Sequence, residues 1–174
     1  MEMTPEKLKQ IRSKMGKRSS SRGADYEREV AKKICNYFGE NSKEWEKHFR
    51  RTKRTKGGQP EGDIVPRGRI LEEWNYAELG PIEAKNRIEW SLMELFKNPK
   101  GSKLYNYWLK SNEDTYSNNS IVCFTKPYAP DLVFYNEEEI RFSSFFSNII
   151  DEKVFLVVTL KDFLINHFPQ YSSN

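Results

Sequence analysis

The sequence is poor in the residues that build zinc sites and disulfide frameworks. It contains two cysteines, Cys35 and Cys123, and two histidines, His48 and His167, and these four residues lie far apart in the chain. No Cys-x-x-Cys or Cys/His cluster is present, which argues against structural zinc and against a disulfide scaffold. We expect both cysteines to be reduced thiols.

Long apolar runs are also missing. No stretch approaches the roughly 18 apolar residues that span a bilayer, and the first residues lack the apolar segment of a secretory signal. We therefore expect a cytoplasmic protein of a bacterial, archaeal or phage-infected cell, without a membrane contact. Its 174 residues are 37% hydrophobic and 14% aromatic, enough for one globular domain.

Positive charge is concentrated in one part of the chain. Residues 1–110 contain 25 Lys and Arg against 16 Asp and Glu, a net charge of +9, whereas residues 111–174 contain 4 against 9, a net charge of −5. Such an asymmetry indicates an anionic partner for the first part of the chain, and nucleic acid is the partner that we expect.

The polarity pattern predicts a flexible arm followed by one α/β domain. Residues 1–22 are basic and rich in serine, and we expect a flexible basic arm there, with the domain over residues 23–174. Apolar residues recur at helical spacing from Gly23 to about Phe38, and Gly39 is a natural helix end.

Several short strands and two further helices are predicted after this first helix. A helix is expected over about 90–109, with a possible break at Asn98-Pro99, and another near the end of the chain. The pattern predicts a central mixed sheet of five to six strands flanked by helices. The strand-like segments are the first half of EWEKHFRRTKRTKGGQP, then GDIVP, PIEAK, SIVCFTK, DLVFY and VFLVVTL.

Four charged side chains are predicted to converge on this sheet. Glu27 borders the apolar stripe of the first helix, and Asp63 opens a strand after a glycine-rich loop. Side chains alternate along a strand, so Glu83 and Lys85 share one face while Ala84 points to the other. Carboxylates without His or Cys favour Mg²⁺ or Mn²⁺. Such an ion activates water for attack on a phosphodiester, and a lysine can orient that water.

Basic residues flank these acids on both sides in sequence. One group lies in the N-terminal arm, and the other leads into the glycine-rich loop before Asp63. Both are suited to contact a DNA backbone. The predicted DNA-binding residues are Lys17, Arg18, Arg22, Arg50, Arg51, Lys53, Arg54 and Lys56.

The segments EGD at 61–63 and IEAK at 82–85 together resemble the motif of the PD-(D/E)xK nuclease superfamily. RGADYEREVAKKI resembles the first helix of archaeal-type and phage Holliday junction resolvases, with Glu27 at the catalytic position. NRIEWSL and VTLKDFL are also similar to phage members of this group.

The resemblance implies a restriction-endonuclease-like fold and a dimeric, Mg²⁺-dependent endonuclease that cuts branched DNA in recombination and leaves 5′-phosphate ends. Mn²⁺ could replace Mg²⁺, and no organic cofactor is implied. Asp63, Glu83 and the backbone carbonyl of Ala84 would hold the metal. Glu27 would support the metal, directly or through a water, and Lys85 would position the nucleophile.

Other interpretations stay open. In the superfamily Pro usually stands directly before the Asp, whereas here Glu61 and Gly62 separate Pro60 from it, and Glu61 is either a spare ligand or a solvated loop acid. A restriction-like, repair or nicking endonuclease would use the same residues on duplex DNA. A DNA-binding protein without catalysis would use the acids structurally, with Glu83 and Lys85 as a plain ion pair.

Overall fold

A computed structural model describes residues 5–52, 62–87, 89–115, 119–126, 128–137 and 146–172. The helices are α1 (Pro5–Tyr37), α2 (Trp45–His48), α3 (Gly68–Tyr76), α4 (Leu92–Lys97), α5 (Lys103–Thr115) and α6 (Leu160–His167), with 3₁₀ turns at Ser42–Glu44 and Pro169–Tyr171. The strands are β1 (Phe49–Arg51), β2 (Ile64–Pro66), β3 (Ile82–Asn86), β4 (Ile121–Thr125), β5 (Leu132–Glu137), β6 (Phe146–Ile150) and β7 (Lys153–Thr159). Within these ranges, none of the helices combines the length and the apolar character that crossing a membrane requires.

The strands form one seven-stranded sheet in the order β1-β2-β3-β4-β5-β7-β6. β3 and β4 run parallel, and every other neighbouring pair runs antiparallel. The predicted mixed α/β architecture is confirmed, but the predicted count of five to six strands is too low. The strand pattern of β6 was not recognised, and its pairing with β7 places it at the edge of the sheet.

Helices cover both faces of the sheet because the central strands bury side chains in both directions. Along β4, Ile121 and Cys123 belong to the core under α1, α3 and α6, whereas Val122 and Phe124 belong to the core under α4 and α5. This alternation is expected for strands that are buried on both sides.

Helix α1 begins at Pro5, so the segment predicted as a flexible arm is helical from that residue and continuous with the predicted first helix. Whether residues 1–22 act separately from the rest stays a prediction. The end of α1 agrees with the sequence pattern: Gly39 has φ +72° and Glu40 N–H donates to the Cys35 carbonyl, as in a Schellman motif.

The structure confirms one further prediction about the helices and adds a helix that was not predicted. The helix predicted over 90–109 is broken near Asn98-Pro99 into α4 and α5, as the sequence indicated. The segment before β3, where the sequence pattern predicts no helix, contains α3, which buries Ile70 and Trp74 against the sheet. These two residues lie four positions apart and therefore on one face of the helix.

Candidate active site

The pairing of β2 with β3 brings the two predicted metal-binding acids together. Ile64 pairs with Ile82 in antiparallel register, and the Asp63 N–H donates to the Ile82 carbonyl at 2.9 Å. Because Asp63 precedes Ile64 and Glu83 follows Ile82, the two acids stand opposite each other across the strands. Ala84 faces the core under α1, which confirms the predicted alternation along β3.

Gly62 fixes the backbone immediately before Asp63. It has φ +83°, and a Cβ added to it would lie 2.9 Å from the Ile82 carbonyl oxygen. Thr52, at the end of β1, donates its hydroxyl to the Gly62 carbonyl and its N–H to the Asp63 carbonyl, the latter at 3.1 Å. The chain is thus held between two neighbouring strands at this point.

Asp63, Glu83 and Lys85 form a contiguous cluster, which we call the Asp63 cluster. Lys85 Nζ lies 2.9 Å from Asp63 Oδ2 and also forms an ion pair with Glu83 Oε1. Asp63 Oδ2 accepts a second hydrogen bond, at 3.0 Å, from the Ala84 N–H. One carboxylate oxygen therefore receives a backbone and a side-chain donor, which fixes its orientation.

Glu27 reaches the same region from α1. Its side chain is 15% exposed, and its Oε2 accepts a hydrogen bond from Arg51 Nε at 2.6 Å. Glu29, two residues later, is exposed and pairs with Lys33, as expected for a residue off the apolar stripe. Of these two acids, Glu27 is the one that faces the sheet.

Burial controls the electrostatics of this region. Burial raises the pKa of Glu27, and the charge of Asp63 adds to the effect while the bond from Arg51 opposes it. Burial and the neighbouring Asp63 also raise the pKa of Glu83 against the influence of Lys85. Burial alone would lower the pKa of Lys85, but Glu83 and Asp63 together raise it, so the ammonium stays charged.

The donor set of this cluster fits a hard divalent cation. Glu83 and Asp63 supply carboxylate oxygens on one face of the sheet, and no sulfur or imidazole ligand accompanies them. In the described part of the chain, no three or more His, Cys, Asp or Glu side chains are grouped closely enough to hold a metal. The carbonyl of Ala84 as a ligand stays a prediction, since the contact seen for this residue is made by its N–H.

The predicted DNA-binding residues are only partly covered by the structure. Arg22 on α1 and Arg50 on β1 are exposed, whereas Arg51 is bonded to Glu27. Lys17 and Arg18 belong to α1, and their side chains lie outside the described part of the molecule. The residues that lie entirely outside the described ranges are Lys53, Arg54, Lys56 and Glu61.

Two contacts of the site were missed from the sequence. Arg51, which is predicted to bind DNA, is also the hydrogen-bond partner of Glu27. Tyr107 on α5 lies beneath Lys85, with Nζ 5.9 Å from its ring centre, a cation–π distance. No local signal marks either contact, because both join residues that are far apart in sequence.

A family model described as "Phage putative PDDEXK endonuclease" matches residues 18–168. This range contains Glu27, Asp63, Glu83 and Lys85. Searches of curated proteins and of solved structures gave no significant match.

Proposed function

Since the chain belongs to the phage PDDEXK endonuclease family, we propose that it is a Mg²⁺-dependent endonuclease that resolves four-way DNA junctions. The family accounts for the nuclease activity and for the restriction-endonuclease-like fold. The observation that carries the proposal is the convergence of Asp63, Glu83 and Lys85 on one face of the sheet, with Glu27 close by. The proposed place of action is the cytoplasm of the infected host cell.

Asp63 and Glu83 would hold the metal, with the Ala84 carbonyl as a further ligand and Glu27 contributing directly or through a water. Burial raises the pKa of Glu83, and a nearby divalent charge would favour its ionised form. When bound, Mg²⁺ or Mn²⁺ supplies polarisation of the scissile phosphate and activation of a water. The residues can therefore provide the ligands that this chemistry needs.

The protein's own groups have separable roles in hydrolysis. The Ala84 N–H holds Asp63 Oδ2 in place, so the carboxylate is oriented before DNA binds. Lys85 lies between the two acids, where it can orient the attacking water and offset charge on the phosphate. The water would attack the phosphorus in line with the leaving 3′-oxygen, which leaves a 5′-phosphate on the other product strand.

Junction selectivity and a homodimer belong to the same proposal. Resolution of a four-way junction requires two opposed cuts, and a two-fold dimer presents two equivalent active sites. The excess of positive charge in residues 1–110 supports binding to DNA backbones. The likeness of RGADYEREVAKKI to resolvase helices supports junctions as the substrate.

The decisive experiment compares an immobile four-way junction with its component duplexes in Mg²⁺. Asp63→Asn should abolish cleavage and retain junction binding, because it removes a metal ligand and leaves the basic contacts intact. Asp25→Asn is the matched control, since Asp25 is an exposed acid on α1 and the same change there should leave cleavage unaltered.

Each outcome discriminates between the open interpretations. Paired symmetric nicks on the junction alone would establish a resolvase. Equal cutting of duplexes would replace junction selectivity by an endonuclease that acts on duplex DNA. Tight binding without cutting in Mg²⁺ or Mn²⁺ would leave a DNA-binding protein, and full activity of Asp63→Asn would refute the assignment of the metal ligands.

A further inference from the structure

The connection between β4 and β5 carries an aromatic side chain that packs on nothing in the described part of the protein. Tyr128 is fully exposed, and it makes no hydrogen bond or ring contact with the residues that the structure describes. Its backbone is left-handed, with φ +65°. Such a position favours glycine or asparagine, and the other described residues that adopt it, glycine apart, are acids. Neither packing nor backbone geometry therefore accounts for a tyrosine here.

Hydrogen bonds hold the backbone of Lys126, Tyr128 and Ala129, which we call the β4–β5 turn. The Ala129 N–H donates to the Lys126 carbonyl at 3.1 Å. The Thr125 hydroxyl lies 3.4 Å from the carbonyl oxygens of Lys126 and Ala129 and can donate to either. The ring of Tyr128 is thus presented to solvent from a costly backbone conformation, and residues held in this way are concentrated at functional sites.

The cation of the β4–β5 turn is anchored on a buried tryptophan. Lys126 Nζ lies 4.6 Å from the centre of the Trp90 ring, a cation–π distance. Trp90 meets the ring of Phe124 edge-on, and its Nε1 donates to the Thr125 carbonyl at 3.2 Å. Lys126 is partly exposed and forms no ion pair with a described residue. Its position is therefore fixed while its charge is available to an anion.

The β4–β5 turn lies at the same edge of the sheet as the Asp63 cluster. β3 and β4 run parallel with Lys85 opposite Phe124, so both strands end at this edge. Lys126 follows Phe124 by two residues, which corresponds to roughly 7 Å along a strand, or about two phosphates of one DNA strand. A nucleotide next to a phosphate bound at the Asp63 cluster would therefore lie within reach of the turn.

We propose that the β4–β5 turn binds an unpaired DNA base and its phosphate next to the cleavage site, with Tyr128 stacked on the base and Lys126 paired with the phosphate. This inference rests on the proposed nuclease function and adds the recognition of unstacked bases to it. Single-stranded nucleic acid is bound by aromatic side chains on which bases stack, together with cations that follow the backbone. A fully exposed ring beside an anchored cation supplies both groups.

Fluorescence anisotropy of the full chain with a labelled oligothymidylate and a blunt duplex, both without divalent metal, tests this inference. Tyr128→Leu should weaken binding of the oligothymidylate about tenfold, because it removes one stacking contact, and should leave binding of the duplex unchanged. Tyr128→Phe keeps the ring and should bind as the wild type does. Lys126→Gln should reduce the slope of log K against log salt concentration by about 0.7, the value for one phosphate contact on a single strand.

Tyr76→Leu is the matched control. Tyr76 is 90% exposed and ends α3 shortly before β3 begins, at the opposite edge of the sheet, so its loss should leave both affinities unchanged. Tyr128→Gly separates binding from folding. Glycine adopts the left-handed conformation without strain, so this variant should not lower the melting temperature, yet it should weaken binding of the oligothymidylate as Tyr128→Leu does. A merely structural tyrosine would give the first result without the second.

The affinities do not depend on whether the protein cuts DNA, because no divalent metal is present, so a failure of this inference is distinguishable from a failure of the proposed nuclease function. Unaltered affinity of Tyr128→Leu for the oligothymidylate, or an equal loss in Tyr76→Leu, would overturn the inference and leave the roles of the Asp63 cluster untouched. A smaller species of Tyr128→Leu in sedimentation velocity, with unaltered DNA affinity, would assign the ring to a contact between protein chains and would also overturn it.

Discussion

Replacing Gly62 by alanine should destabilise the junction of β2 and β3 that carries Asp63. Gly62 has φ +83°, and an added Cβ would lie 2.9 Å from the Ile82 carbonyl oxygen and 3.0 Å from Pro81 Cβ. The left-handed conformation costs a residue other than glycine about 1–2 kcal/mol, and crowding of packed groups costs about 1–3 kcal/mol. The Ile82 carbonyl cannot move freely, because it accepts the hydrogen bond from the Asp63 N–H.

We therefore expect Gly62→Ala to lower the free energy of unfolding by about 2–4 kcal/mol in urea titrations. The melting temperature should fall by roughly 5–15 °C for a chain of this size. DNA cleavage should fall more steeply than stability at a permissive temperature, since the carboxylate of Asp63 is displaced along with its backbone. The same preparation should still bind DNA through its basic residues.

Gly23→Ala is the matched control for this prediction. Gly23 lies within α1, and an added Cβ there meets no atom within 4 Å. Alanine should stabilise the helix by about 0.5–1 kcal/mol relative to glycine. The same chemical change thus has opposite signs at two positions. If Gly62→Ala were within 0.5 kcal/mol or so of the wild type, the close approach of β2 to β3 would be refuted.

Three further changes address other parts of the molecule. Arg51→Met should lower the free energy of unfolding by about 1–3 kcal/mol because it leaves Glu27 buried without its donor, and the added change Glu27→Gln should recover part of the loss in urea titrations. Burial lowers the pKa of His167 in the folded protein, so the unfolded chain binds a proton at this residue more tightly. The neutral, buried imidazole therefore makes a contribution to stability that is complete above pH 6.5 and is lost as the pH falls towards about 4. The loss should reach about 3 kcal/mol and be absent in His167→Gln, as measured by urea unfolding across this range. Trp74→Phe should cost about 1–3 kcal/mol, because the Trp74 indole donates to the Gly80 carbonyl at 3.0 Å and packs on Phe168; thermal unfolding would detect it.

The parts of the site that the sequence predicts are those specified by local periodicity. The position of Glu27 beside the apolar stripe and the shared face of Glu83 and Lys85 both follow from repeat lengths of 3.6 and 2. The contact between Arg51 and Glu27 does not, because a cation in a basic segment can pair with either a phosphate or a distant acid. The two residues are 24 positions apart in sequence, and Arg51 meets Glu27 only after β1 has paired with β2 in the folded sheet.

The misread elements have similar causes. Helix α3 buries only Ile70 and Trp74, so its apolar stripe is too narrow to stand out among charged neighbours. Strand β6 lies at the edge of the sheet and gains its hydrogen bonds from β7, where Ser147 pairs with Leu156. Its strand character thus depends on a partner rather than on its own pattern.

The two acid-x-lysine tripeptides of this chain show why the motif alone does not identify an active site. Asp151 and Lys153 have the same spacing as Glu83 and Lys85, but Asp151 and Glu152 form the turn between β6 and β7, with φ +52° and +67°. Lys100 pairs with Asp151 there and lowers its pKa, whereas burial beside Asp63 raises the pKa of Glu83. The same spacing therefore produces a solvated ion pair at the turn and a partly buried carboxylate with a raised pKa within the sheet. The two tripeptides differ because the pairing of β2 with β3 places a second acid, Asp63, beside Glu83.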